Sequence, residues 1–581
     1  MDPSAQHSFC GLPYELSNFQ GHFKCEPSVI VGRPSDRQQL ANLVKAYPKV
    51  KAVGVGHSWW RQNFCSGVNS SAINIVTTEL AETLPASQGK PERTISVDEE
   101  AMTATVAAGV TQRTLLRFLD NYRTAKSPDG YTLAAFSWFI DQTIAGAVAT
   151  ATHGSSFKHA SLSHQLRGLT LMDASGSIRS ITPSSDPHLW RAASVSAGRL
   201  GIILDVTISI VKNTAVRRSK EDISTEEFVT SLQRLQEDYK AAAGPAVAAS
   251  SGAAKQDGGN ATAAAAGGLG SISPLASYAV WQAVKSFDEV QLFWFIPSRM
   301  LWRVTFDRLT DGLSDEEAAK VMAADGPSNG LPEGAHAQMK VNAVGTGIGI
   351  DVAPTYWSDQ YRLYLSINVV PGVYPARESY VSISEMENKL YAAWNSYDQY
   401  EVAVPLSKAG DCLGAVTKEL YGPAQRWRGF RSPALVRFIR AEHSYLSPAV
   451  GDAVMYVNME DHLSYINGNT NEDFQAVLRV FRSPVCGPAR LHWGKAGWPQ
   501  HAQCFDGAAE YPKTWCDFGC AVHQLDPTGK FSAEADRDIW QWSATDSSTG
   551  QRVADAGSCC SSSGFDHARC KCASRTDCSK E

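Results

Sequence analysis

VKAVGVGHSWW, running from Val50 to Trp60, takes a short apolar strand out through two glycines and straight into a histidine and a serine. Gly54 and Gly56 permit a tight turn and a close backbone approach that side chains would block. A bulky partner is expected against this turn, with His57 the reactive group nearest to it and Ser58 beside it. A nicotinamide dinucleotide is the wrong partner. Its fingerprint needs a third glycine where the following helix packs on the strand, and Trp59 and Trp60 stand there instead.

A second small-residue run, TIAGAVATATHGS over 143–155, makes a flavin reading better than a nicotinamide one. Gly146, Thr150, His153, Gly154 and Ser155 lie in a run able to bring backbone N–H groups close to a pyrophosphate. Two such turns from separate parts of a domain can clamp one extended dinucleotide.

The rest of the chain bounds the answer. With 581 residues, two or more domains are expected. A net charge of −6 with no basic stripe gives no footprint for nucleic acid. No apolar run has the length of a membrane span, which leaves peripheral association with a membrane open and a transmembrane segment unexpected. The 13 cysteines, crowded at Cys559, Cys560, Cys570, Cys572 and Cys578, suit an oxidising compartment. Sequons at Asn69 and Asn260 fit a secretory or ER-lumenal route, yet MDPSAQHSFC has neither part of a signal peptide. The tail cysteines lack paired CxxC spacing, so disulfides are expected there and no metal.

Periodicity gives a mixed helix and strand reading of the front half. Strands are expected at 29–31, 51–55, 73–76, 94–97, 103–106 and 204–211, the last half-buried by alternation. A capping box at Ser35–Gln38 opens one helix and Thr114–Asp120 forms another. The Ala/Gly/Ser stretch 241–273 reads as a flexible insertion, after which VQLFWFIPSRMLWRVTF restores strand patterning.

VKAVGVGHSWW, TIAGAVATATHGSS, LSHQLRGLTLMDASGSI, LWRAASVSAGRLGIILDVTISI, LFWFIP and LHWGK, in this order, resemble the sugar-1,4-lactone oxidase group within the vanillyl-alcohol-oxidase superfamily of flavoproteins. That group includes the gulonolactone, arabinono-lactone and alditol oxidases. The resemblance implies an α+β protein with an FAD-binding domain at 25–212, a mixed-sheet substrate domain at 213–545 and a cysteine-rich tail at 546–581. It implies FAD joined through a ring nitrogen of His57 to its 8α carbon, with a backbone contact at Ile203. Cys65 sits too close behind His57 to resemble a second tether and is expected in a disulfide.

On the substrate side, the family's E-x-R pair falls on Ala434–Ile439, with Arg437 on the arginine and Leu435 in place of the glutamate. Alternation puts 435 and 437 on one face. Asn458 and Glu460 are expected to meet the substrate, Glu460 making up for the missing carboxylate. Lys495 in LHWGK resembles the lysine that reaches flavin and substrate, where a cation stabilises the charge of reduction, and Arg437 and Lys495 are both expected as catalytic candidates for that cation. His492 beside it is not assigned as a base. The implied reaction is hydride transfer from a sugar lactone or polyol to FAD. Molecular oxygen then takes the electrons as peroxide, in an ascorbate-type synthesis. A same-fold dehydrogenase and a flavin- or carbohydrate-binding protein without turnover stay open.

Overall fold

The computed structural model describes residues 16–19, 23–67, 71–80, 94–137, 139–249, 287–309, 369–376, 397–462, 470–487, 489–498, 505–532 and 539–574, with a few isolated residues between 358 and 366. Strand β1 (Ile30–Gly32), β2 (Lys49–Val53) and β3 (Ala72–Val76) form a small parallel sheet in the order β1-β3-β2. The helix Arg37–Ala46 covers it with Leu40, Leu43 and Val44, at the spacing the sequence shows. Its cap is Asp36, one residue later than the box read at Ser35. The Asp36 carboxylate accepts from the Gln39 N–H at 2.8 Å, and the Gln39 side chain reaches back to the Ser35 N–H.

A five-stranded antiparallel sheet follows, β4-β5-β9-β7-β8. It comprises β4 (Ile95–Asp98), β5 (Thr103–Ala107), β7 (Leu166–Met172), β8 (Ile178–Ile181) and β9 (Ile202–Ser209). Between them β6 (Tyr131–Thr132) pairs with β10 (Val211–Lys212). Along the run read as half-buried, Val206, Ile208 and Ile210 are buried while Thr207, Ser209 and Val211 are partly exposed, as alternation predicts, and Asp205 is the exception, buried at 7 % exposure. Asp205 tolerates this because the Arg37 guanidinium reaches its carboxylate at 3.1 Å.

The second half is an eight-stranded sheet, β14-β11-β13-β12-β16-β17-β15-β18. Its strands are β11 (Ala215–Ser224), β12 (Glu289–Phe295), β13 (Met300–Arg308), β14 (Gly372–Pro375), β15 (Tyr397–Pro405), β16 (Ala434–Ile439), β17 (Val454–His462) and β18 (Arg490–Leu491). The α+β class with two sheet-based halves therefore holds. The sheet expected to be mixed is antiparallel in every described pairing, as suits neighbours such as β12 and β13 joined by the tight turn at Ile296–Ser298.

Register sorts this sheet into two unlike faces. Leu292, Val436, Val457 and Val402 run across the strands in one row. They share their face with Trp294, whose indole N–H donates to Thr225 of the helix Thr225–Ala249. The helix Ala409–Tyr421 packs on that helix so closely that a Cβ at Gly410 would lie 2.5 Å from Gln233 Cα. The opposite face carries Gln291, Leu435, Arg437, Tyr456, Asn458, Glu460, Gln399 and Glu401. Polar residues at this density within central strands mark a face built for more than packing.

The helix Thr225–Ala249 runs nine residues into the stretch read as a loop, because alanine is the strongest helix former. Residues 250–273 lie outside the described ones. Disulfides join Cys25 to Cys65, Cys412 to Cys486, Cys516 to Cys572, Cys520 to Cys560 and Cys559 to Cys570. Cys65 and four of the tail cysteines are thus paired as expected, while Cys578 lies outside the described residues. Among the described residues no helix is long and apolar enough to cross a membrane.

Candidate active site

Strand β2 ends at Val53, and the chain turns at Gly54–Gly56. Gly56 takes a φ of +86°, which L residues rarely adopt, and its carbonyl accepts from the Phe19 N–H at 2.8 Å. The Phe19 ring then stacks on His57, centroids 4.1 Å apart. A Cβ at Gly54 would overlap Thr143 Oγ1 and lie 2.9 Å from its Cγ2. These glycines bring the first turn down onto the segment that holds the second.

Between the two turns lies an open cleft. Gly54, Gly56, His57, Ser58, Gly146 and Thr150 line it, and so do His492, Gly494 and Lys495 from the far end of the chain. One bond explains that meeting: the Trp59 N–H donates to the Gly494 carbonyl at 2.9 Å. His57 and Lys495, 438 positions apart in the chain, therefore face one space. Sequence reading missed Lys51, Thr143 and Gly198 among the lining residues. Gly198, with a φ of +73° and nothing within 4 Å of a Cβ placed on it, carried a signal in SAGRLG.

His153, Gly154, Ser155 and Ile203 are placed differently. His153–Ser155 are buried and stitched onto the eight-stranded sheet. Ser155 Oγ accepts from the Phe438 N–H at 3.1 Å and the Ser155 carbonyl accepts from the Val290 N–H at 3.2 Å. A Cβ at Gly154 would lie 2.6 Å from the Phe136 carbonyl oxygen. The small residues of this turn let two halves meet backbone to backbone. Ile203 is buried in β9 opposite Leu171.

Arg437, 6 % exposed, donates to the His153 carbonyl at 3.2 Å and to the Glu401 carboxylate. Glu401 is 1 % exposed and has His153 Nε2 3.4 Å away. Lys495 donates to Gln399 Oε1, and Gln399 stands opposite Glu460. Asn458 lies opposite both Leu435 and Glu401. Glu460, expected to make up for the carboxylate absent at 435, sits in the next row toward Lys495. The carboxylate on Arg437 is Glu401.

Burial dominates the titrations. It pushes the His492 imidazole down to about 3 and the Lys495 ammonium down to about 8. It pushes the Glu460 carboxyl up to about 7, Ser432 and Lys495 holding it from going further. Burial opposes the charge on Glu401 too, but the Arg437 guanidinium outweighs it and holds that carboxyl well below the usual range. The result is two buried neutral imidazoles, one fixed ion pair, and a carboxyl and an amine that both titrate near neutrality.

His153, Glu401 and His492 bring possible ligand atoms within 4.8 Å of one another. A metal fits them poorly. His492 Nδ1 accepts the Gly494 N–H at 3.0 Å, so its hydrogen sits on Nε2, and a guanidinium already occupies the carboxylate. An extended, partly anionic cofactor fits the cleft better: its glycine walls expose backbone, and Lys51 and Lys495 supply cations.

Residues 28–182 match the family described as FAD binding domain, and residues 378–538 match D-arabinono-1,4-lactone oxidase. The chain thus carries one segment similar to an FAD-binding domain and one similar to a lactone-oxidase domain, the families that the six ordered motifs resemble. L-gulonolactone oxidase of Mus musculus is 31% identical over 208 residues, 35% of this chain and 42% of the relative. D-arabinono-1,4-lactone oxidase of Saccharomyces cerevisiae is 28% identical over 37% of this chain and 38% of the relative. L-gulono-1,4-lactone dehydrogenase of Mycobacterium tuberculosis is 31% identical over 38% and 46%. The chain spans less than half the length of these curated relatives. In fold, it is similar to cholesterol oxidase from Brevibacterium sterolicum, with a TM-score of 0.63 at 15% identity over 91% of this chain and 96% of that one.

Proposed function

We propose that the chain is an FAD-dependent oxidoreductase that oxidises a carbinol of a sugar-1,4-lactone of the gulono-, galactono- or arabinono- type. The observation that carries this reading is the shared cleft. A glycine turn ending in His57 and a loop carrying Lys495 close one space, beside a buried polar sheet face. When bound, FAD supplies the two-electron acceptor. His57 holds it covalently, since neutral imidazole is a competent nucleophile near physiological pH. Ser58, Gly146 and Thr150 shape the wall, with Ile203 and the buried His153–Ser155 turn as support behind it. Asn458 and Glu460 hold the substrate hydroxyls. Glu460, when ionised, accepts a hydroxyl proton, and Lys495, when protonated, balances the negative charge of reduction. Molecular oxygen is the acceptor in this reading, giving hydrogen peroxide and an ascorbate-type product.

A dehydrogenase that passes its electrons to a cytochrome or quinone is the second reading, favoured by the relative named for that activity. Anaerobic addition of L-gulono-, L-galactono- and D-arabinono-1,4-lactone and of alditols should bleach the flavin with at least one of them. Protein that is yellow yet bleached by none would sink the proposal. Peroxide formed per lactone, set against dye reduction, separates the two acceptors.

The titrations give a further expectation. Glu460 is ionised only above about 7, and Lys495 is cationic only below about 8. The rate of flavin reduction should rise through the first and fall through the second, a narrow bell. Glu460→Gln should remove the acid limb and Lys495→Arg should push the alkaline limb upward. A flat profile in the parent enzyme counts against both assignments.

A further inference from the structure

We propose that Glu401 is the positioning residue for Arg437, supplying from two strands away the carboxylate that the arginine's own strand lacks. This rests on the flavoenzyme reading and deepens it. Leu435 on β16 faces Asn458 on β17, which faces Glu401 on β15, so the three form one row on the polar face. Arg437 lies two residues from Leu435 on the same face, and its guanidinium spans the sheet diagonally to Glu401 Oε1. Glu460 is two rows from Arg437, four residues along the strand at roughly 3.3 Å each, too far to do this.

The neighbouring imidazoles cannot replace that cation. His153 Nδ1 lies 2.8 Å from the Gly154 carbonyl and must carry the hydrogen there, which leaves Nε2 with a lone pair toward Glu401. Burial and the charge of Arg437 keep His153 neutral. The pair is also set from both ends, because the second guanidinium nitrogen donates to the His153 carbonyl. A buried charge that loses its partner costs more than the pair is worth. Removing Glu401 therefore frees Arg437 to turn toward water in the cleft or to lose its aim. In this arrangement an apolar residue at 435 is tolerated because the row already delivers a carboxylate.

The experiment uses the full-length flavoenzyme and guanidinium ion. Arg437→Ala should bind guanidinium in the vacated space, read as a rise in melting temperature and a saturable change in the flavin spectrum. The double variant Arg437→Ala/Glu401→Gln should bind it about 10- to 100-fold more weakly, the weight of a charged hydrogen bond. With a lactone that reduces the flavin, Glu401→Gln alone should lower kcat by a similar factor at unchanged flavin content. The relocated pair Leu435→Glu/Glu401→Gln should recover part of that loss. Equal guanidinium affinity with and without Glu401 overturns the proposal, and so does a Glu401→Gln enzyme within twofold of the parent. The binding arm does not depend on the sugar, so a wrong substrate class leaves it standing.

Discussion

A Gly54→Val protein is expected to fold but to be purified without colour. The side chain would enter space already held by Thr143, with Cγ2 2.9 Å and Cβ 3.0 Å from the first added atom. Thr143 belongs to the opposite cleft wall and precedes the helix Ile144–Ala149. Relief therefore comes by pushing the two glycine turns apart, and the cleft loses the close spacing that grips a flat ring system. Overpacking of this kind costs about 1–3 kcal/mol where the structure can give. Visible absorbance per protein, beside the melting temperature, reads the two effects separately. Parent-like flavin content in Gly54→Val would show that this wall does not bound the cofactor.

The second large effect belongs to Lys495. Lys495→Met preserves most of the side-chain volume and removes the cation from a half-buried position on the cleft wall. Loss of one group that stabilises charge only as it develops costs about 10²–10³ in rate. Flavin content and substrate affinity should change little, since the stabilisation is absent before reduction. Rapid mixing under anaerobic conditions measures the step directly. A Lys495→Met enzyme with parent-like reduction would move the role of the cation to Arg437 or Lys51.

How far the sequence spoke depends on the range of the interaction. The turn at Gly54–Ser58 was legible as a turn because glycines end a short apolar strand there, and its strand and helix neighbours followed from local periodicity; its use was legible only beside the second small-residue run and the resemblance. The meeting of His57 with Lys495 was legible only through the resemblance. It depends on Trp59 reaching the Gly494 carbonyl, which no window of sequence contains. His153-Gly154-Ser155 shows the converse. Small residues announce a close backbone approach but not the surface approached, and here that surface includes β12 and β16. Glu401 was hidden for a topological reason. Its strand pairs with β17 and is two places from the strand of Arg437 in the sheet. Within YEVAVP it reads as an ordinary charge on an exposed strand face, and only the register turns it inward.

The account stands on the covalent hold of a flavin proposed for His57. Purified parent protein and His57→Ala should be precipitated with acid and the pigment followed. Colour that stays in the parent pellet but moves to the supernatant for His57→Ala is the predicted result. Colour released in full from the parent protein would contradict it.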